Sequence, residues 1–426
     1  MTSRNESIKA PGLPVLELVF ICIFGIFYID FEVQGKYEVI APFIALLYLF
    51  YCYLREPKQR GRIVKFIFAC AIVAILYQIL TIPITIRGAN AASKYLYSNF
   101  SQYLLAFFPL AFLYRTDKLA TANQIKIIVG VIIITAIALI QVALKFAAIN
   151  PDILHSMNQE VLEDAGVTLQ GFDFVYAFTF LIITCFVLIK QSDSKIIRYL
   201  SIGALIYFIH FLLKAQFALA FVATFISCLY LYYTTTRNKG SRFFVIIGLS
   251  TLIFLIPYIL ERLIDMTQDL NVLNVRLKEI YDSISGNHAE DSDMQARFDL
   301  YWKCIVAFFN SPIMGNKYLP FNGHSTFLLA FAYLGIFGGV LICWMFYKGL
   351  KFVQSILGND QYVYFKPLMC QIILMGLTNP IQSTPSNFIM LFFVSPLLSK
   401  DVLNNNYISH ESSIQNRCCG SNNILC

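Results

Sequence analysis

Charged residues are scarce in this chain. Only 13% of its 426 residues are Asp, Glu, Lys or Arg, whereas a soluble domain is about a quarter charged. The eleven cysteines are an odd number without paired spacing, which argues against a disulfide or metal framework. The sequence also has no Walker loop, HExxH, CxxC or Gly-rich dinucleotide motif. These absences exclude a disordered chain, a disulfide scaffold and a nucleic-acid-binding module as descriptions of the whole chain.

Hydrophobic residues dominate instead, at 58% of the chain with a mean hydropathy of +0.65. A membrane-spanning helix needs about 20 apolar residues. Hydrocarbon offers no partner for backbone polar groups, so such spans are helices. We therefore predict an all-α polytopic membrane protein with about 12 transmembrane helices. The apolar runs lie at 13–31, 38–54, 64–86, 95–114, 127–149, 171–189, 196–213, 216–233, 243–260, 324–347, 362–380 and 386–399.

Lys and Arg residues set the predicted orientation. Loops rich in positive charge belong on the cytoplasmic side, and one such loop carries Arg115, Lys118 and Lys126. Counted loop by loop, this rule places both termini inside, whereas 150–170 and 261–323 lie outside. The predicted organisation is transmembrane helices 1–9 in residues 1–260, a large periplasmic loop at 261–323, transmembrane helices 10–12 in residues 324–400 and a cytoplasmic polar tail at 401–426.

The outer loop 261–323 contains two predicted amphipathic helices. Apolar residues recur at helical spacing across 268–284, and a second such pattern begins at Arg297 and ends at Ser311-Pro312. Helices with aromatic residues on one side often lie in the membrane interface. We therefore expect this loop to be structured and to lie against the outer surface of the membrane.

His324 is the strongest single candidate for chemistry. It follows Asn322-Gly323, where the outer loop enters the tenth predicted span. Helix N-termini attract phosphate groups, and their positive end favours the neutral imidazole, which can accept a proton. The alternative is that His324 is an ordinary polar residue at the membrane interface.

Three arginines and one lysine form a candidate cationic set on the predicted outer side. Arg262, Arg276 and Arg297 lie in the large loop, and Lys214 lies at a very short turn. Arg makes bidentate phosphate contacts and Lys acts as a point charge, so a cluster near His324 would suit a diphosphate-bearing lipid. The alternative is that Arg297 anchors an interfacial helix and Lys214 extends its ammonium group towards water. No pair of Asp residues indicates a metal site.

The residues around His324 form an ordered motif, an Arg…Trp…Pro-x-x-Gly run that leads to a His, followed by a Leu and a Gly-x-x-Gly pair. Its members are Arg297, Trp302, Pro312, Gly315, His324-Ser325-Thr326-Phe327-Leu328 and Gly335-Ile336-Phe337-Gly338-Gly339. This motif resembles the hallmark of the bacterial O-antigen polymerase and O-antigen ligase superfamily. Twelve spans with one large periplasmic loop between the ninth and tenth also match this family.

The resemblance implies a GT-C-like glycosyltransferase of the bacterial inner membrane. It implies metal-independent, inverting transfer of a glycan from undecaprenyl diphosphate at the periplasmic face, without a cofactor. His324 would act as the general base on the acceptor hydroxyl, and Arg297, with Lys214 and Arg276, would bind the diphosphate. The family usually carries a Ser-Arg pair where this chain has Lys214-Ala215-Gln216, so Lys214 would supply the charge without the guanidinium fork. A chain-length regulator and a flippase are expected partners in the membrane; nucleic acid is not.

Three functions remain open at this point. The leading one is a polymerase that joins undecaprenyl-diphosphate-linked repeat units of an O-antigen or related surface polysaccharide. The nearest alternative is a ligase that transfers the finished glycan to a lipid A core, since both enzymes use the same donor. A flippase or transporter of lipid-linked oligosaccharides would need charges along a central cavity and often has internal repeats. The polar residues of this chain concentrate in one outer loop, which favours an enzyme.

Overall fold

The computed structural model contains only helices as regular elements in the part of the chain that it describes. The all-α class predicted from composition is therefore confirmed for these residues. The described residues are 12–29, 34–55, 65, 67, 107–149, 171–192, 194–236, 238–269, 271–285, 293–316, 325–379 and 385–399.

The first eight helices overlap the predicted apolar runs, although α3 extends past its run and α8 continues to Met266, inside the predicted outer loop. Polar residues mark several of their ends. Asn238, for example, caps the eighth helix by accepting a hydrogen bond from the backbone N–H of Gly240 at 2.9 Å. In chain order these helices are α1 (Val15–Ile29), α2 (Gln34–Arg55), α3 (Pro109–Leu119), α4 (Ala122–Ile149), α5 (Gly171–Gln191), α6 (Lys195–Ala215), α7 (Ala218–Thr235) and α8 (Lys239–Met266).

Two helices occupy the predicted outer loop and two follow it. α9 (Asn271–Ser285) and α10 (Asp293–Asn310) correspond to the two amphipathic patterns, and α10 ends just before Ser311-Pro312. α11 (Thr326–Thr378) has two interruptions. α12 begins as Pro385–Ile389, continues through the π-helical segment Met390–Val394 and ends at Ser399. α5 lies at the centre of the bundle, where it packs against α6, α7, α11 and α12.

Several helices have the length and composition of membrane spans. Within the described ranges, Ala122–Ala148, Lys195–Ala215 and Thr326–Gly358 are long and apolar enough to cross a membrane. The predicted span at 64–86 and the first part of the one at 95–114 lie largely outside the described residues. Shorter apolar helices are Val15–Ile29, Phe43–Arg55, Val175–Gln191, Leu219–Thr235, Tyr362–Thr378 and Ser386–Ser399.

These apolar helices expose much of their surface. In the most apolar stretches of Ala122–Ala148 and Lys195–Ala215, only 33% and 22% of the residues are buried. Ile134 of α4 is 69% exposed, and Ile196 and Ile206 of α6 are 72% and 63% exposed. Soluble monomers rarely expose contiguous apolar patches of this kind, which instead mark a membrane or protein contact.

α11 is interrupted at Gly335, where the sequence predicted one continuous span over 324–347. Gly335 has φ 65° and ψ −165°, which is not helical, and the ring of Phe327 lies 5.6 Å from that of Phe346. In a continuous helix these residues would be about 28 Å apart. The prediction of a single straight span is therefore wrong, because the first part of α11 folds back along the second part. The stretch after Gly335 still contains the roughly 20 residues that a span needs.

The small side chains that follow Gly335 permit this close packing. A Cβ atom at Gly338 would overlap Leu334, and one at Gly339 would overlap the ring of Phe331. Leu334 and Phe331 belong to the short helical part before the turn, so the glycines provide the space into which that part packs. The Gly-x-x-Gly pattern thus has a direct structural role in the helical hairpin.

A buried ion pair connects α1, α2 and α3. Arg115 is 2% exposed and donates from Nε to Glu17 Oε1 at 2.7 Å and from Nη2 to Glu17 Oε2 at 2.8 Å. Tyr48 also donates to Glu17 Oε1, at 2.9 Å. Arg115 was expected in a positively charged inner loop, but the structure places it inside helix α3. A partner close to 100 residues away in the sequence, Glu17, makes this burial possible.

We predict that single changes in this ion pair destabilise the protein strongly. Glu17→Leu leaves the Arg115 guanidinium buried without a counter-charge, which costs about 3–5 kcal/mol. The triple variant Glu17→Leu, Arg115→Met and Tyr48→Phe removes all three polar partners and should regain most of the lost stability. Thermal unfolding of the detergent-purified protein measures both effects. Equal melting temperatures for Glu17→Leu and the wild type would show that the pair is not a structural requirement.

Candidate active site

Two glycines hold the end of the outer loop against the turn of α11. Gly315 and Gly335 have φ angles of 72° and 65°, in the left-handed region. A Cβ atom at Gly315 would overlap the carbonyl oxygen of Tyr333, and one at Gly335 would overlap that of Ile313. The backbone N–H of Asn316 donates to Ala332 O and that of Ile336 donates to Pro312 O, both at 2.8 Å. We call this contact between residues 312–316 and 332–336 the glycine clasp.

The residues directly after position 324 are fixed at the other end of the short hairpin helix. The Ser325 hydroxyl accepts from Leu328 N at 3.2 Å, which makes it the N-cap of α11, and donates to Gly376 O at 3.2 Å. The backbone N–H and the hydroxyl of Thr326 both donate to Asn379 O, at 3.2 and 3.0 Å. These hydrogen bonds hold the first turn of α11 against the last turn of α11.

α10 lies beside the junction at which the first and last turns of α11 meet. The Tyr301 hydroxyl donates to Thr378 O at 3.3 Å, and the Phe308 ring lies 5.7 Å from that of Phe331. Arg297 lies one turn before Tyr301 on the same face of α10, and it is half-buried. The face that carries Arg297 is therefore directed towards the junction between Thr378 and the start of α11.

The turn between α6 and α7 has an unusual backbone. Lys214 is exposed in the last turn of α6, whereas Gln216 is buried and has a φ of 57°. Residues other than Gly adopt this left-handed conformation uncommonly. Phe217 follows, and its ring lies 5.9 Å from that of Tyr176 on α5.

Contacts between α5 and α11 show where this turn lies. Thr179, one turn from Tyr176, donates to Met375 Sδ at 3.9 Å, and Met375 O accepts from Asn379 N at 2.7 Å. Farther along α5, Thr184 donates to Ser395 at 2.9 Å, near the C-terminal end of α12, whereas α12 begins at Pro385, shortly after Asn379. α5 therefore runs away from Asn379, and Tyr176 and Asn379 lie on the same side of the Thr179–Met375 contact. The α6–α7 turn therefore lies at the end of the bundle that also contains the start of α11.

The predicted site residues separate into three groups. Arg297 and the turn that contains Lys214 lie at this end of the bundle. His324 lies outside the described residues, and the described part of the motif around it begins at Ser325. Arg276 lies in α9, but its side chain is not among those that the structure describes. Arg262 is exposed on α8 with its guanidinium 5.5 Å from the ring centre of Tyr258.

Sequence analysis missed three residues that build this end of the bundle. Tyr301 is an apolar-face residue in a helical pattern, and its hydrogen bond to a distant carbonyl has no signature in the sequence. Asn379 contributes its backbone oxygen, which any residue type possesses. Gln216 occupies a position where Gly would be expected, so its left-handed backbone conformation could not be predicted from the sequence either.

The chemistry available here is limited by the side chains present. Cys304 lies on the buried face of α10, and burial raises the pKa of its thiol to about 11. A thiol that stays protonated at neutral pH is a poor nucleophile. Among the described residues, no group of three His, Cys, Asp or Glu side chains could hold a metal ion.

No protein-family model and no curated protein matches the chain.

We predict that Gly335→Ala disrupts the glycine clasp, and Gly358→Ala serves as the matched control. Gly335 (φ 65°, ψ −165°) and Gly358 (φ 75°, ψ 165°) both lie in a backbone region that essentially only Gly occupies, so each substitution incurs about 1–3 kcal/mol of strain. Only at Gly335 does the added Cβ also meet a backbone oxygen, whereas the space around Gly358 is open. Thermal unfolding of the purified variants should show a clearly lower melting temperature for Gly335→Ala. Equal losses for the two variants would mean that the close approach does not matter.

Proposed function

We propose that this protein is a polymerase of the inner membrane that joins lipid-diphosphate-linked oligosaccharide repeat units of an O-antigen or similar surface polysaccharide. The observation that carries the proposal is the convergence of three elements at one end of an apolar helical bundle. These elements are the start of α11 after His324, the Arg297 face of α10 and the turn that contains Lys214. The convergence agrees with the roles that the family resemblance implies for these residues.

The proposed reaction needs one base and positive charge. A hydroxyl oxygen of the acceptor sugar attacks the anomeric carbon of the donor, and the bond from that carbon to the diphosphate oxygen breaks. The attack inverts the configuration at the carbon. The hydroxyl proton passes to the imidazole of His324, and the lipid diphosphate leaves as an anion that Arg297 and Lys214 stabilise.

The exposed apolar helices support a membrane location. A lipid-linked donor keeps its polyprenyl chain in the bilayer, so its diphosphate lies at the interface, where an enzyme must place its cations. α10 exposes Phe298, Trp302 and Phe309, at 55%, 65% and 72%. Aromatic residues of this kind are typical of helices at the membrane interface.

Purified protein tests the proposal against its two alternatives. The polymerase should lengthen glycans when it receives lipid-linked repeat units alone. A ligase would transfer glycan only when lipid A core is added, and a flippase would form no new glycosidic bond with either acceptor. Product length on a gel separates the three outcomes.

We predict that Arg297→Ala weakens binding of the lipid-diphosphate donor. A hydrogen bond to a charged group contributes about 1.5–3 kcal/mol, so the dissociation constant should rise roughly 10- to 150-fold. Lys214→Ala should have a smaller effect because its side chain is exposed, and Lys214→Arg should retain activity. Titration of the donor into each variant measures these effects. Arg262→Ala is the control, and a normal affinity for Arg297→Ala would remove Arg297 from the site.

We predict that His324→Ala abolishes most polymer formation while the protein still inserts and accumulates. General-base catalysis contributes about 10²–10⁴-fold to the rate. His288→Ala, in the same outer loop, should have nearly normal activity. The purified polymerase assay and a protein blot measure rate and amount. A normal rate from well-expressed His324→Ala protein would contradict the assignment of His324 as the base.

A further inference from the structure

Asn387 is a fully buried amide without a hydrogen-bond partner. It lies in the first turns of α12 and has 0% exposure. Within the described part of the chain, neither its Oδ1 nor its Nδ2 atom makes a hydrogen bond. A buried polar group left unsatisfied costs about 1–3 kcal/mol, and an apolar environment around the helices offers no substitute. Such a group calls for an explanation beyond packing.

Other buried polar side chains in the same helices are satisfied. The Gln371 amide, also at 0% exposure, donates to Thr179 at 2.8 Å and accepts from Ser227 at 2.9 Å. Thr184 donates to Ser395, farther along α12, at 2.9 Å. The bundle therefore pairs polar groups between its helices, and Asn387 departs from that pattern.

Ring contacts of its neighbour place Asn387 at the level of the start of α11. The ring of the next residue, Phe388, lies 5.8 Å from that of Phe346. Phe346 lies 5.6 Å from the ring of Phe327, the second residue of α11. Asn387 thus lies at the same end of the bundle as the candidate active site.

The local backbone of α12 is also unusual. The π-helical segment Met390–Val394 begins shortly after Asn387, and π-helical turns occur frequently at functional sites. Asn387 lies near the N-terminal end of α12.

We infer that Asn387 is a binding residue for a sugar ring of the lipid-linked repeat unit. An amide offers a carbonyl acceptor and two N–H donors, and neighbouring sugar hydroxyls both donate and accept. Binding would satisfy the two atoms that are unsatisfied in the free protein. This inference rests on the proposed function, because it takes the carbohydrate of that reaction as the ligand.

Asn387→Leu tests the inference, with Thr116→Val as the matched control. Thr116 Oγ1 is likewise buried and without a partner among the described residues. It lies towards the opposite end of the bundle, because the ring contacts Phe107–Phe388 and Phe112–Phe393 run in the same order along α3 and α12. Removal of an unsatisfied polar group should raise the melting temperature of the ligand-free protein in both variants. Asn387→Ala repeats the test if the leucine side chain does not fit.

Two lipids separate a sugar contact from a diphosphate contact. Lipid-linked repeat units should bind Asn387→Leu about tenfold more weakly than the wild type, since two hydrogen bonds are lost. Undecaprenyl diphosphate without sugars should bind both equally, and Thr116→Val should bind both lipids normally. Unchanged affinity of Asn387→Leu for the repeat units, with or without a change in melting temperature, would overturn the inference and leave the proposed function intact. Binding of neither lipid by the wild type would overturn both.

Discussion

Gly315 and Gly335 allow two turns of main chain to approach closely enough to exchange two hydrogen bonds. The approach requires the absence of both Cβ atoms, and the left-handed φ angles require residues that tolerate them. Because the chain reverses at Gly335, the start of α11 returns to the level of Phe346 and meets Gly376 and Asn379. A continuous helix would place the residue after position 324 far from these partners. The arrangement at the end of the bundle that contains the candidate active site therefore depends on this backbone contact.

Apolar surroundings make every internal polar group expensive unless it has a partner. Glu17, Arg115 and Tyr48 meet this requirement as a group, and Gln371 meets it through two neighbouring helices. These satisfied groups specify how α1, α2, α3, α5, α7 and α11 pack, because each hydrogen bond fixes the rotation of one helix relative to another. Asn387 has no such role in the described structure, so its position at the end that contains the candidate active site fits a role in binding.

The all-helical character of the described residues could be predicted from the sequence, because long apolar runs in a membrane must satisfy their backbone polar groups internally. The amphipathic helices of the outer loop followed equally from the spacing of their apolar residues. The interruption at Gly335 was missed because glycine within an apolar run is compatible with a helix, and its partner Gly315 acts through space. The burial of Arg115 was missed because its partner Glu17 also acts through space. The position of Arg115 near a helix end gives no information about that partner. Neutral polar residues such as Asn379 and Asn387 leave no signature in composition or charge.

On the proposed mechanism, the base and the diphosphate-binding residue belong to different elements. Position 324 is attached to Ser325 and Thr326, which the last turn of α11 holds, whereas Arg297 belongs to α10. A misplacement of about 1 Å between reacting groups costs roughly 10²-fold in rate, so these elements need a rigid connection. The glycine clasp and the Tyr301–Thr378 hydrogen bond supply it at the two ends of α10's contact with α11. At the clasp, backbone atoms make the connection, so side-chain rotation cannot loosen it. The backbone of Ser325 and Thr326 and that of α10 are therefore held in one arrangement by contacts within the fold.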